Sequence, residues 1–247
     1  MRVPPTLPSV LDFFADGMHR LIPSRYSEKR TVLADIADNN AMLDDITLLD
    51  GASNERIQTE QSGKIGISTY ELVYGIPNAH IVNAAFSYAA ALGSRFNDET
   101  RGAWYAADEL DTSLAEVTYH KAKRLGEIVV PGLPGERPDR DVSTYDDWLA
   151  DFRSQFHTLD PPQQWADCLE AEPVPDCYAT SQRLARALIA DGSNGLVYPS
   201  VRRAGHACLV CFRPALVYRP RRDVRLEIVF ETAEVGYSWK ARIVGIQ

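Results

Sequence analysis

Between Gly195 and Val244 four strand-like runs follow one another with no helical segment between them: Gly195–Tyr198, Ala207–Arg213, Val224–Phe230 and Val235–Val244. Successive strands of this kind pair with one another, and the sheet they form needs an apolar layer to cover it. Helical patterns lie upstream, at Thr112–Leu125 and Thr180–Ala190, with Leu11–Leu21 and Tyr26–Leu43 as further candidates. Asp111, Thr112 or Ser113 can cap the helix that begins near residue 112, and Gly126 can stop it. Leu72–Tyr74 and His80–Val82 are weaker strand candidates, and Gly102–Ala107 is a better one. Helices early and strands late, without regular βαβ alternation, predict an α+β fold and not a doubly wound sheet.

The chain divides into a mostly helical N-terminal extension, residues 1–66, and a main domain, residues 67–247. Gly51–Gly66 is polar and Gly-punctuated, a loop with a short helical turn. A Pro-rich, partly helical insertion near 127–176 interrupts the main domain; seven of the fifteen prolines fall there. Trp148, Phe152 and Phe156 stand four residues apart, which predicts a helix over Tyr145–Leu159 with an apolar stripe. Core or lid packing explains that stripe better than a cofactor box.

With 247 residues, 45% of them hydrophobic, the chain can bury a core without disulfides or a structural metal. A formal net charge of −8 argues against non-specific nucleic-acid binding, which relies on clustered cations. No apolar run approaches the roughly 20 residues that span a bilayer. The proline-broken start, Met1 to Ser9, lacks the apolar stretch of a signal peptide, so a soluble, cytoplasmic protein is expected. Cys208 and Cys211 have C-x-x-C spacing inside an apolar run, where a strand sends them to opposite faces; with Cys168 and Cys177 they read as buried free thiols. His120 and His206 have no metal-ligand company at useful spacing, so no metal is expected.

Neither a G-x-G-x-x-G fingerprint nor a P-loop is present, and no G-x-S-x-G elbow supports a serine hydrolase. The residues that offer chemistry lie in Gly93-Ser-Arg-Phe-Asn97, Trp104-Tyr-Ala-Ala107, Ser113-Leu-Ala-Glu-Val-Thr-Tyr-His120 and Gly195-Leu-Val-Tyr-Pro-Ser200. They supply a guanidinium, a phenol, a carboxylate and a hydroxyl near the ends of short elements, where side chains and free backbone groups converge on ligands. Trp104 should point to the opposite side of its strand from Tyr105, into the core. Ser113-x-x-Glu116 is also a capping box, in which the glutamate merely bonds back to the helix start.

In order and spacing these segments closely resemble the RES-domain family, toxins of the Res–Xre toxin–antitoxin class. Arg95, Tyr105 about ten residues on, Glu116 about eleven further, and Tyr198-Pro-Ser200 with Arg202 carry the resemblance, over roughly Tyr70–Pro214. It implies an ADP-ribosyltransferase-like split, curved sheet flanked by helices, with NAD bound as a consumed substrate. Arg95 would engage the phosphates or the adjacent ribose, Tyr105 would stack on nicotinamide, and Ser200 would bond the amide or a phosphate. Glu116 would hold the ribose hydroxyl and stabilise the positive charge that develops as the C–N bond breaks. The resemblance further implies an Xre-like antitoxin partner. The acceptor of ADP-ribose would be a protein, water or phosphate.

This sequence departs from the family's pattern upstream. Members carry another arginine on an early strand, whereas Tyr70–Leu92 contains none; Arg25, followed by an aromatic, is the proposed substitute, with Arg56 behind it. Phe96 stands where many members have Trp. The cluster Arg213, Arg219, Arg221, Arg222 and Arg225 reads as a solvated hairpin or a docking face for an acidic partner. Two rivals to the enzyme reading stay open. One is a catalytically silent binding module that uses Glu116 only as a cap. The other is a helix-turn-helix on Thr180–Arg202, disfavoured by the strand-like segment after Gly192.

Overall fold

The computed structural model describes residues 6–27, 66–128 and 137–246. Its strands are β1 (Val10–Pro23), β2 (Trp104–Ala107), β3 (Arg140–Thr158), β4 (Gly195–Pro199), β5 (Ala207–Cys211), β6 (Tyr218–Thr232) and β7 (Tyr237–Ile246). Its helices are α1 (Ser24–Ser27), a single turn, then α2 (Ala79–Ser87), α3 (Leu110–Glu127) and α4 (Ala179–Ala190). The result is α+β, a seven-stranded sheet in the order β1-β2-β5-β4-β3-β6-β7 flanked by helices.

β1 also pairs antiparallel with β3, so the sheet curls until β1 touches both β2 and β3. Two thin seams close that curl: His19 opposite Ala107 between β1 and β2, and His157–Thr158 parallel to Leu196–Val197 between β3 and β4. α2 covers one face, where Ile81, Val82 and Phe86 pack on Trp104, Trp148, Phe152 and Phe156. On the other face α4 lays Leu184 and Leu188 against Phe96, Leu196 and Val210, while α3 lays Leu114 and Leu125 against Leu21, Leu226 and Ile228.

Four expectations about local structure are overturned. Leu11–Leu21 and Tyr145–Leu159 are strands β1 and β3, not helices. A four-residue apolar spacing is even, so it also satisfies the two-residue period of a strand, and Trp148, Phe152 and Phe156 share one buried face either way. His80–Val82 lies inside α2, and Leu72–Tyr74 forms no strand. The helix expected over Tyr26–Leu43 lies outside the described residues beyond Ser27, as does most of Gly51–Gly66. Trp104 does enter the core opposite Tyr105, and all four cysteines are buried free thiols.

The arginines of β6 reach across to carboxylates on the neighbouring strand. Arg225 and Arg222 hold Asp146, and Arg221 and Arg219 hold Asp151, both carboxylates lying on β3 and almost wholly buried. Asp151 also accepts the backbone N–H of Gly17, whose positive φ of 68° forms the bulge in β1.

Candidate functional site

Gly93–Asn97 is a tight loop built by its own residues. Gly93 has φ 69°, and a Cβ there would lie 2.2 Å from the Asn97 carbonyl oxygen, so only glycine fits. Ser94 and Asn97 bridge across the loop, and the buried Asn97 amide donates to the carbonyls of Asp98 and Arg101. Tyr105, on β2, fastens the loop: its Oη donates to Asn97 Oδ1 at 2.8 Å and accepts the Phe96 N–H at 2.9 Å. Burial raises the Tyr105 pKa far above its usual value, so the phenol keeps its proton.

The same loop aims Arg95 inward. The residue is 7% exposed, and its guanidinium lies over the Tyr178 ring at 4.9 Å and donates to the carbonyls of Cys168 (3.1 Å) and Glu170 (2.7 Å). Burial pushes the Tyr178 hydroxyl up to about 12.

α3 brings the carboxylate. It starts at Leu110 with Glu109 as N-cap and no side-chain cap, so Ser113 and Glu116 both lie inside the helix. The expected caps at 111–113 and the capping-box reading of Glu116 therefore fail; the Ser113 hydroxyl donates instead to the His19 carbonyl. Glu116 Oε1 accepts a 2.7 Å hydrogen bond from Ser200 Oγ, just past β4. Ser200 Oγ in turn accepts the backbone N–H groups of Arg202 and Arg203, which polarises its own O–H toward Glu116.

Sequence reasoning set aside or missed three further side chains. His120 follows Glu116 by one helical turn on the same face of α3. Its Nε2 is 3.4 Å from Tyr178 Oη; burial first, then the charges of Arg202, Arg95, Arg124 and Lys123, lower its pKa to about 4, so it is neutral near pH 7. Arg202, singled out only as the basic residue after Ser200, stacks 3.4 Å from the Tyr119 ring centroid and donates to the Ala171 carbonyl at 2.8 Å. Tyr178 sits in a proline-flanked segment that no local pattern marks. Arg202 Nε and Tyr119 Oη are buried without a hydrogen-bond partner among the described residues.

Arg95, Tyr105, Glu116 and Ser200 thus lie around one face of the sheet between α3, α4 and the ends of β2 and β4. Arg25 is not brought there. It is exposed on α1, over the Tyr26 ring at 4.7 Å and near Tyr145, which packs with Leu125 about two and a half turns along α3 from Glu116. Arg56 lies outside the described residues. Surface hollows of about 540 and 550 Å³ open elsewhere, the first over β6 and β7 and the second beside the start of α4. Among the described residues no group of three or more His, Cys, Asp or Glu side chains is placed to hold a metal, and no helix is long and apolar enough to cross a membrane.

Comparison with known proteins places these residues in a wider group. No curated protein matches the chain. A solved structure described as "Crystal structure of the M.tuberculosis MbcT-MbcA toxin-antitoxin complex" aligns with 14% identity and a TM-score of 0.44, over 87% of this chain and 85% of that one. The model of the RES domain matches residues 72–231, a stretch that takes in Arg95, Tyr105, Glu116 and Ser200. That match covers well over half of the sequence, and the chain belongs to the RES domain family.

Proposed function

We propose that this chain is a toxin-like enzyme that cleaves the nicotinamide–ribose bond of NAD. The observation that carries the reading is Glu116 held by Ser200, with Arg95 and Arg202 converging on the adjacent Glu170–Ala171 backbone and both bearing on His120, one helical turn from Glu116. Converging cations suit a substrate with two phosphates, and the fixed carboxylate suits a developing cation. The unpartnered donors of Arg202 and Tyr119 fit a polar ligand as well.

In this reading the C1′–N bond breaks and its electron pair leaves with nicotinamide, which departs neutral. Glu116 stabilises the positive charge left on the ribose, and Ser200 keeps the carboxylate oriented. The acceptor then adds to C1′ and gives up its proton. Water or phosphate as acceptor would deplete NAD; a protein side chain would become ADP-ribosylated. The natural partner is an Xre-like antitoxin, as membership of the RES domain family suggests.

A second reading has one observation in its favour. The Ser200–Glu116 bond could serve only to pin the turn at 200–203 in a catalytically silent module. Incubating pure protein with NAD labelled in its ADP-ribose half, alone, with phosphate and with cell extract, separates the two. Free nicotinamide without labelled protein indicates depletion, and label on a protein indicates transfer. If Glu116→Gln and wild type give the same background in all three arms, the enzyme reading is wrong.

A further inference from the structure

Both arginines of the candidate site are occupied by one stretch of backbone. Arg95 donates to Glu170 O at 2.7 Å and Arg202 donates to Ala171 O at 2.8 Å, so adjacent carbonyls fill the positions an anion would take. The stretch is anchored at both ends, by buried Cys168 on one side and by buried Cys177 and Tyr178 on the other. Between these anchors, Glu170, Glu172, Pro173 and Asp176 are exposed, and no sheet ladder or α-helix binds the segment. Leu169 packs against the Phe96–Leu196 core at one end, Pro173 O accepts the Cys177 N–H at the other, and the middle is tied to α3 by an ion pair at the surface, Glu172 to Lys123 at 2.9 Å.

We propose that Leu169–Asp176 is an autoinhibitory strap, whose carbonyls stand in for the substrate's phosphate oxygens and which the substrate must displace to reach Glu116. The proposal rests on the NAD reading above and adds a control to the same site. A guanidinium binds an anionic oxygen more strongly than a neutral carbonyl, so a diphosphate competes well for both arginines. A surface ion pair is the weakest kind of lock, which makes Glu172–Lys123 the natural release point. While the strap is closed, apparent affinity falls in proportion to the open fraction.

Hydrogen–deuterium exchange of the strap tests this directly. The amides it protects include its own Val174, bonded to Glu172 Oε2, and the anchor's Cys177, bonded to the strap's Pro173 carbonyl. Wild-type protein is measured free and with inorganic pyrophosphate; Glu116→Gln, which stops turnover, is measured free and with NAD. Displacement predicts exchange at least about tenfold faster over 169–178 with either ligand, while α4 and β4 are unchanged. Unchanged or slower exchange with both ligands overturns the strap and makes the segment a fixed wall.

Glu172→Ala supplies an independent readout. Loosening the strap should lower KM for NAD by about fivefold with kcat nearly constant; an unchanged or higher KM counts against the proposal. The two hypotheses fail separately. If NAD is consumed while the strap stays protected, the strap falls and the NAD reading stands. If pyrophosphate frees the strap but no nicotinamide is released, the reverse holds.

Discussion

The Tyr105 hydroxyl commits both of its hydrogen bonds to the loop that carries Arg95, which gives the residue a role beyond offering a ring to a ligand. Tyr105→Phe should therefore lower stability by about 1–3 kcal/mol, because Asn97 Oδ1 and the Phe96 N–H lose their partner, and should slow NAD cleavage with it. Urea unfolding measures the first effect; an unchanged midpoint would return Tyr105 to a stacking role alone. Gly93→Ala should be worse for the loop, since a Cβ would press on the Asn97 carbonyl in a backbone conformation with positive φ. A loss of about 1–3 kcal/mol is expected, read as a fall in Tm, with Arg95 displaced from Tyr178. Arg95, Tyr105, Glu116 and Ser200 could be singled out because four short motifs carry them at fixed spacing. Tyr178 and the Glu170–Ala171 carbonyls were not, since they reach the site through tertiary folding of a segment with no periodic pattern. The capping alternative for Glu116 was decided only by where α3 begins.

At the scale of elements, β1 and β3 show why an apolar period can mislead. Even spacings fit both helix and strand, and only the partner strand decides between them. β2, β4, β5, α3 and α4 were readable because short β-branched or aromatic runs and long amphipathic ones are less ambiguous. Where β1 meets β3, His19 Nδ1 lies 2.7 Å from Asp147, a fully buried carboxylate. Burial pulls the histidine's pKa down, but the bond and charge of Asp147 outweigh it and hold it above the usual value. Burial raises Asp147 too, in spite of the histidine, so desolvation dominates at that partner. A raised histidine pKa means that its contribution is full below about pH 6.5 and is lost as pH rises through the folded-state value. His19→Gln should therefore destabilise the protein more at about pH 6 than at about pH 8.5, as read from urea midpoints. An equal loss at both would show that the pair carries no charge in the folded state.

Across the whole molecule, the segment matching the family model begins well after β1 and stops at Glu231, before β7. β1 nonetheless pairs with β3 along most of its length and places Met18 and Leu21 in two different cores. A fragment comprising residues 72–231 should for that reason show no cooperative unfolding transition by near-UV circular dichroism, whereas the full chain should show one. Cooperative unfolding of the fragment would mean that β1 is an accessory strand. The α+β class could be read from the order of patterns and a curved sheet from the family resemblance; the strand that closes the curl could not, because β1 reads as a helix.

The pairing of β1 with β3 also has a bearing on how the protein is made. His19 meets Asp147 across 128 positions of sequence, and Ser200 reaches Glu116 across 84. Contacts of such high order close slowly, because the chain entropy is lost before the contact repays it. The first strand to leave the ribosome must wait for a partner synthesised in the second half of the chain. The carboxylate waits across fewer positions, but its serine is made later still. A nascent chain on the ribosome thus carries an unassembled site until translation has passed β4, which postpones any activity until then.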